Sequence, residues 1–264
     1  MPEISLKKCS RLALKAGSII LESGGATNRV ELLMYKVCKG FGFSEVESFV
    51  TPTGIFLSIG DGEDELNTSI RRVEQRRIDL GKITELTQVV NCLYEGDLAC
   101  PTGSLGKYDY FKQELDRIDT QRTYPTIVTN LCGASTSGFF CLLFGGSWSE
   151  FAVALLVGFL VSASLKYISL LPVNNFLLNA IASSIIVLLA KSMDLVVPGI
   201  RLDTIIIGGI MLLVPGISIT NAIRDTMSGD LVAGTARGVE AMVITVGIVA
   251  GSGAMLKLWE IILG

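Results

Sequence analysis

The hydrophobic and polar positions follow different patterns in the two halves of the chain. Up to residue 122, apolar side chains recur at helical spacing or alternate with polar ones, which is typical of a water-facing domain. Beyond that point apolar residues form long uninterrupted runs, and a membrane-spanning helix needs about 20 such residues. We therefore predict a water-facing domain at residues 1–122 and a membrane domain at residues 123–264.

The first half predicts a small α+β domain with the element order ααβββαα. Apolar stripes at helical spacing predict two helices, over residues 6–20 and 30–41. Residues 80–94 are also predicted to be helical, and residues 108–120 to form a polar helix that leads into the membrane. Alternating patterns predict three strands: Glu45–Val50, Gly54–Ile59 and Leu66–Val73. Asn28 and Glu31 have the spacing of a capping box for the second helix. The acidic run Asp61–Glu65 is interpreted as a solvated hairpin tip.

The second half predicts an integral membrane α-helical bundle of about five transmembrane helices. The expected spans are residues 124–144, 151–171, 173–190, 204–223 and 231–256. The alternative is a buried bundle in a soluble protein, but five such segments in succession would need a very large core. GxxxG pairs in the last span, Gly234/Gly238 and Gly247/Gly251, permit close approach of helices.

The distribution of basic residues indicates the orientation in the membrane. Five spans place the termini on opposite sides, and six basic residues then flank the N-terminal side: Lys112, Arg117, Arg122, Lys166, Arg224 and Arg237. Only Lys191, Arg201 and Lys257 flank the other side. The positive-inside rule therefore favours a cytosolic N-terminal domain.

Charge and composition exclude several classes of protein. Residues 1–122 hold 16 Lys+Arg and 18 Asp+Glu, whereas residues 123–264 hold only 6 and 7. A net charge of −3 provides no basic field for nucleic acid. The absence of histidine excludes a Ser-His-Asp triad and His-ligated zinc, so we expect no enzyme, metal or cofactor. The first 20 residues do not resemble a cleaved signal peptide.

The six cysteines include no C-x-x-C pair: Cys9, Cys38, Cys92, Cys100, Cys132 and Cys141. We interpret all six as free thiols, because nothing in their spacing indicates a zinc ribbon or a redox motif. Free thiols are typical of a reducing cytosol.

The fourth expected span contains a helix-breaking pair, Pro215 and Gly216. Proline removes a helical hydrogen bond, and freed backbone groups at membrane depth must be buried in protein or face a watery cavity. Broken helices of this kind form substrate sites in transporters. Asn221, Arg224 and Asp225 follow directly. The alternative is a passive kink with a polar helix end at the membrane interface.

Arg237 and Glu240 are three residues apart on one face of the last expected span. A charge at bilayer depth costs about 2.5–3.5 kcal/mol on insertion scales, so such residues usually mark a route for ions or protons. Arg237 is a candidate for holding a substrate carboxylate, and Glu240 for carrying a proton. Alternatively, the span begins later and both residues lie at the interface.

Two segments resemble the signatures of a known family. Residues 21–31 read LESGGATNRVE, with Ser23, Gly24, Arg29 and Glu31 at matching positions, and the segment from Leu212 to Asp230 contains LLVPGI, NAIRD and SGD. Together they resemble the threonine/serine exporter family, in particular the larger subunit of its split, two-gene form. One departure is Ala26, which stands where the family usually has an acidic residue, so any role of that acid does not transfer.

The resemblance implies export of small polar metabolites across the cytoplasmic membrane, driven by the proton gradient. Its named substrates are threonine and serine, and some split members are associated with dicarboxylates such as succinate. Fused members carry about ten spans, so this chain resembles half a transporter that works with a smaller hydrophobic partner subunit; a higher oligomer is left open. The competing interpretation is a membrane-anchored sensor or assembly module whose cytosolic domain binds a ligand or partner.

Overall fold

The computed structural model of the protein describes residues 4–60, 66–74, 77–96, 106–121, 124–170 and 173–263. The chain divides into two compact units, and each is discontinuous in sequence. The first comprises residues 1–123 and 217–238, and the second comprises residues 124–216 and 239–264. The hydrophobic pattern did not predict that residues 217–238 belong to the first unit.

Ten helices and three strands make up the described part of the chain. The first seven elements are α1 (Leu6–Glu22), α2 (Thr27–Gly40), β1 (Glu45–Thr51), β2 (Gly54–Gly60), β3 (Leu66–Arg72), α3 (Leu80–Glu95) and α4 (Lys107–Thr120). The remaining six are α5 (Thr126–Leu143), α6 (Trp148–Ile168), α7 (Asn175–Asp194), α8 (Leu202–Ile210), α9 (Gly216–Met227) and α10 (Leu231–Leu263). The predicted order ααβββαα is confirmed. The predicted acidic hairpin tip, Asp61–Glu65, lies outside the described residues.

The first unit is built on an antiparallel sheet in the order β1-β2-β3. Alternation places Val50, Ile55, Leu57 and Ile59 in the hydrophobic core, where they join the apolar faces of α1 to α4. The core is continuous across all of these elements. It provides a fixed base for the loop between α1 and α2.

The predicted capping box at Asn28 and Glu31 is wrong. Helix α2 begins two residues earlier than this capping box requires, with Ala26 as its N-cap and no side-chain capping bond. Glu31 instead accepts a hydrogen bond from the Val50 backbone N–H, at 3.1 Å. The carboxylate therefore has a tertiary partner, which the local spacing could not predict.

The prediction of six free thiols is wrong at Cys92, which is disulfide-bonded. A disulfide requires two sulfur atoms close in space, and sequence spacing alone cannot exclude one. Cys9, Cys38, Cys132 and Cys141 are free, and Cys100 lies outside the described residues. The cysteines therefore do not support a reducing compartment. The predicted cytosolic location of the N-terminal domain then rests on the distribution of basic residues.

The second unit contains the apolar helices. Four helices of the described chain are long and apolar enough to cross a membrane: Thr126–Leu143, Trp148–Ile168, Asn175–Asp194 and Leu231–Ile262. They correspond to the first, second, third and fifth spans expected from the sequence. Large apolar side chains on their outer surfaces, such as Phe139, Leu160 and Val249, are exposed in the protein alone, as lipid contact requires.

The expected fourth span is not one continuous helix. Helix α8 ends at Ile210, residues 211–215 are not helical, and α9 begins at Gly216. The break was predicted at Pro215 and Gly216, but it is wider than a kink, so each of the two helices is shorter than the roughly 20 residues a span needs. Among the described residues, four helices are long and apolar enough to span a membrane, so the count of five spans stays a prediction.

Glu150, in the first turn of α6, organises one end of the second unit. Its carboxylate accepts hydrogen bonds from the Ser147 N–H at 2.7 Å and from the Arg201 N–H at 2.8 Å. The Arg201 guanidinium lies 3.4 Å from the same carboxylate. This ion pair joins the loop before α6 to the loop before α8.

One of the GxxxG pairs provides the contact between α7 and α10. A Cβ atom at Gly247 would lie 2.6 Å from the Phe176 carbonyl oxygen, and one at Gly251 would overlap the Ala180 carbonyl oxygen. Ser184 Oγ donates a hydrogen bond to the Gly251 carbonyl at 2.9 Å. The small residues therefore bring two helix backbones together.

We expect Gly251→Ala to destabilise the second unit by about 1–3 kcal/mol, because the added methyl group must displace the backbone of α7. Gly253→Ala is the matched control, since a Cβ atom there meets nothing within 4 Å. Thermal unfolding of both variants in detergent tests the expectation. Equal midpoints for the two variants would contradict the close approach of α7 and α10.

Candidate functional site

The site is formed where the loop between α1 and α2 meets α9 and the start of α10, all within the first unit. Helix α1 ends at Glu22, and Gly24 follows with φ of 89°, a conformation that favours glycine. Gly25 packs tightly, because a Cβ atom there would lie 2.9 Å from the Ile20 carbonyl oxygen. We call residues 24–27 the glycine segment.

Three side chains from the far end of the sequence hold the backbone of the glycine segment. Asn221 Nδ2 donates to the Gly24 carbonyl oxygen at 2.8 Å, and Arg237 donates to the Gly25 carbonyl oxygen at 2.7 Å. The Thr27 N–H donates to Asp225 Oδ1 at 3.3 Å. The two signature segments, about 200 residues apart in sequence, therefore meet in one place.

Asp225 and Arg237 form a buried ion pair. Arg237 Nε lies 3.1 Å from Asp225 Oδ2, and the exposed fractions of the two side chains are 4% and 0%. Removing two charges from water costs several kcal/mol each, so such a pair persists only when further polar groups complete it. The Gly25 carbonyl and the Thr27 N–H do so here.

The turn between α9 and α10 brings the ion pair together. Gly229 has φ of 90°, and the Asp230 N–H donates to the Asp225 carbonyl oxygen at 2.9 Å. Asp230 then caps α10 by accepting from the Ala233 N–H at 3.2 Å. A Cβ atom at Gly234 would lie 3.0 Å from the Ala222 carbonyl oxygen, so the two helices cross closely. Asn28 Nδ2 reaches Ser228 Oγ at 3.4 Å.

The structure brings some of the predicted site residues together and leaves others apart. Asn221, Asp225, Arg237 and Gly24 make the contacts described above. Arg224, one residue before Asp225, is exposed. Ser23 is buried and follows α1 directly. Thr27 and Asp230 were not selected from the sequence, although both lie within or beside the signature segments.

Arg29 lies on the outer side of α2. Its guanidinium donates to Thr87 Oγ1 at 3.1 Å, beside a shallow groove between α2 and α3 that Lys36 and Asn91 also line. The arginine of the signature thus contacts α3 within the same unit.

Pro215, Gly216 and Glu240 belong to the second unit. Gly216 is exposed and begins α9, and Pro215 is the last residue of the break before it. Glu240 is half-buried on α10, three residues after Arg237.

Two further carboxylates, those of Glu31 and Asp230, lie near the Asp225 carboxylate of the ion pair. Burial raises the pKa of Glu31 above its ordinary value of 4.5, the Val50 N–H lowers it, and the Asp230 and Asp225 carboxylates raise it further. Within the described residues, no group of three or more His, Cys, Asp or Glu side chains is arranged to hold a metal ion.

We expect Glu31→Gln to stabilise the first unit at pH 7. A carboxyl group whose pKa is raised by folding destabilises the folded state when it is ionised, and this penalty disappears as the pH falls through the folded pKa to the unfolded value. The glutamine keeps an oxygen to accept the Val50 N–H. Unfolding midpoints of the parent and the variant should therefore differ at pH 7 and converge near pH 4. A difference that grows towards pH 4 would contradict the raised pKa.

Taken with the four apolar helices, this arrangement defines a class of protein. The chain is a multi-pass membrane protein, and a buried ion pair between α9 and the start of α10 holds the glycine segment of its N-terminal domain by hydrogen bonds. The family model described as "Putative threonine/serine exporter" matches residues 11–259. The chain belongs to this family, which is a family of transporters and not of enzymes.

Curated relatives carry two kinds of name. The chain is 25% identical to the "Threonine/serine exporter" of Corynebacterium glutamicum over 95% of its own length and 51% of the relative's. It is 27% identical to the "Probable succinate transporter subunit YjjP" of Escherichia coli over 95% of its own length and 94% of the relative's. A "Probable threonine/serine exporter" of Mycobacterium tuberculosis is 22% identical, and the match covers 46% of it.

The chain thus spans about half the length of the exporters that it matches, and nearly all of the subunit. No solved structure matches the chain significantly.

Proposed function

We propose that the chain is one subunit of a secondary transporter that exports small polar metabolites, either threonine and serine or a dicarboxylate such as succinate. The family and the names of its relatives support membrane export. The observation that carries the proposal is the buried Asp225–Arg237 pair, which holds the first signature segment at Gly25 and Thr27 and which a simple membrane anchor would not need.

The proposed transporter is completed by a smaller hydrophobic partner subunit in the cytoplasmic membrane. The match to half of the longer exporters and to nearly all of a protein named as a subunit supports a partner. In this proposal, the chain alone exports nothing, and addition of the partner restores export.

The proposed topology has five membrane passages and a cytosolic N-terminal domain. The fourth passage would be the interrupted segment from α8 to α9, and the six-to-three distribution of basic residues supports the orientation. Reporter fusions at both termini test it. Signals from opposite sides are expected, whereas a cytosolic signal from both ends would indicate four passages.

In the proposed mechanism, export is driven by the proton gradient. Glu240 carries the coupling proton, and Arg237 holds a substrate carboxylate, because a guanidinium grips a carboxylate with two hydrogen bonds. Pro215, Gly216, Asn221, Arg224 and Asp225 are further candidates for the substrate and ion pathway, because broken helices and the polar groups that follow them serve this role in transporters.

The proposal is tested by export from vesicles that contain the chain with and without its partner. Vesicles are loaded with labelled threonine, serine or succinate, and efflux is followed with and without an imposed pH gradient. Gradient-dependent efflux that requires both subunits is expected. Full activity of the single chain would refute the partner, and no efflux of any of the three compounds would refute the proposed function.

A further inference from the structure

The glycine segment has the contacts of a bound ligand. Its two carbonyl oxygens accept hydrogen bonds from Asn221 and Arg237, and its Thr27 N–H donates to Asp225. All three residues are buried, with exposed fractions of 6%, 3% and 0% for the whole residue. They lie on α9 and α10, about 200 residues after the glycine segment in the sequence.

These side chains can also bind groups other than those of a peptide backbone. A guanidinium prefers a carboxylate to a neutral carbonyl, and a carboxylate prefers an ammonium group to a neutral N–H, because charge-assisted hydrogen bonds are about twice as strong. The segment thus offers uncharged acceptors and an uncharged donor at positions where a small molecule would offer a carboxylate and an ammonium group.

The fit of the segment is also incomplete. Thr27 is fully buried, and its hydroxyl has no hydrogen-bond partner among the residues that the structure describes. A buried hydroxyl without a partner costs about 1–3 kcal/mol. The hydrogen bond from the Thr27 N–H to Asp225 is long, at 3.3 Å. The polar groups of the segment are therefore only partly satisfied by its contacts.

We propose that Asn221, Asp225 and Arg237 form a binding site for a zwitterionic amino acid, and that the glycine segment occupies this site as an internal ligand in the structure. The inference rests on the proposed function and deepens it. The substrate carboxylate replaces the Gly25 carbonyl on Arg237, and the substrate ammonium group replaces the Thr27 N–H on Asp225. The segment must leave the site before the substrate binds.

The surrounding charges select between the two kinds of substrate. One guanidinium and one carboxylate match the two charges of a zwitterion. Glu31 on α2 and Asp230 before α10 add two carboxylates nearby, and Arg224 on α9 is exposed. A dicarboxylate would bring its second negative charge towards these acidic groups. Like charges at such a site disfavour binding, so succinate should compete poorly with threonine.

The inference is tested by hydrogen–deuterium exchange of the assembled transporter, the chain together with its partner. Threonine or serine should raise exchange at the Thr27 amide several-fold, because the segment is displaced, and succinate should not. Unchanged or slower exchange at Thr27 while threonine is still exported would overturn the internal ligand. A response to succinate and not to threonine would overturn the zwitterion assignment. Absence of any export would instead refute the proposed function.

A glycine variant tests the same inference without touching the three binding side chains. Gly25→Ala should dislodge the segment, because its Cβ atom would lie 2.9 Å from the Ile20 carbonyl oxygen. Exchange at the Thr27 amide should then rise even without substrate. The threonine concentration for half-maximal export should fall several-fold, because the glycine segment occupies the site in a smaller fraction of the protein molecules. Gly40→Ala is the matched control, since its Cβ atom would lie 3.1 Å from the Leu93 carbonyl oxygen in the same unit. The same effect from both variants would overturn the inference.

Discussion

Asp225→Asn is expected to lower the free energy of unfolding by about 3–5 kcal/mol, since it leaves the Arg237 charge buried without a counter-charge. The asparagine keeps the size of the side chain and an oxygen for the Thr27 N–H. The decrease in the free energy of unfolding therefore measures the effect of removing the charge, without a contribution from a cavity. Thermal or urea unfolding of the purified protein in detergent measures it.

Two comparisons make this expectation specific to the buried pair. The double variant Asp225→Asn with Arg237→Gln should lose less than the sum of the two single variants, because it removes both charges together. Glu74→Gln removes the partner of Arg72 in an exposed pair of the same unit, whose exposed fractions are 81% and 74%, and should cost less than about 1 kcal/mol. Additive losses in the double variant would contradict a direct ion pair.

Glu240→Gln is expected to abolish gradient-driven export while leaving expression and partner binding intact. The glutamine keeps the shape of the side chain and cannot carry a proton. Efflux of labelled threonine, serine or succinate from preloaded vesicles, with and without an imposed pH gradient, measures the effect. The expectation rests on the proposed role of Glu240 as the proton carrier.

The control for this variant lies on the same helix. Glu260→Gln removes the partner of Lys257 in an exposed pair near the C-terminal end of α10 and should leave the response to the gradient unchanged. If Glu240→Gln responds to the gradient like the parent, Glu240 is not the proton carrier. The charges of Arg237 and Glu240 would then be explained by the alternative that the membrane span begins later and both residues lie at the interface.

The sequence predicted most of the secondary structure, because each element has its own periodic signal. The order ααβββαα and four apolar helices follow from spacing within single segments. The failures involve contacts that the local spacing of residues does not reveal. Glu31 was assigned to a helix cap, but Val50 on a strand provides its hydrogen bond. Cys92 was assigned as a free thiol, but it is disulfide-bonded.

The site could be predicted only in part for the same reason. Arg237 was selected because a charge within an apolar segment is costly, and Asn221 and Asp225 because they follow the helix break at Pro215 and Gly216. Both arguments identify residues without their partners. Nothing in local spacing indicates that Arg237 donates to the Gly25 carbonyl, 212 residues away. The family resemblance marked both signature segments, and the structure places them together.

Export by Arg237→Lys, assembled with the partner subunit, tests most directly whether the joined signature segments form the functional site. Lysine keeps the positive charge beside Asp225, so folding and assembly should be retained. It lacks the planar, multi-donor geometry with which Arg237 contacts both Asp225 and the Gly25 carbonyl. We predict that gradient-driven efflux of labelled threonine falls by at least about tenfold, as misplacement of a substrate-positioning group would cause. Efflux equal to that of the parent would contradict the account.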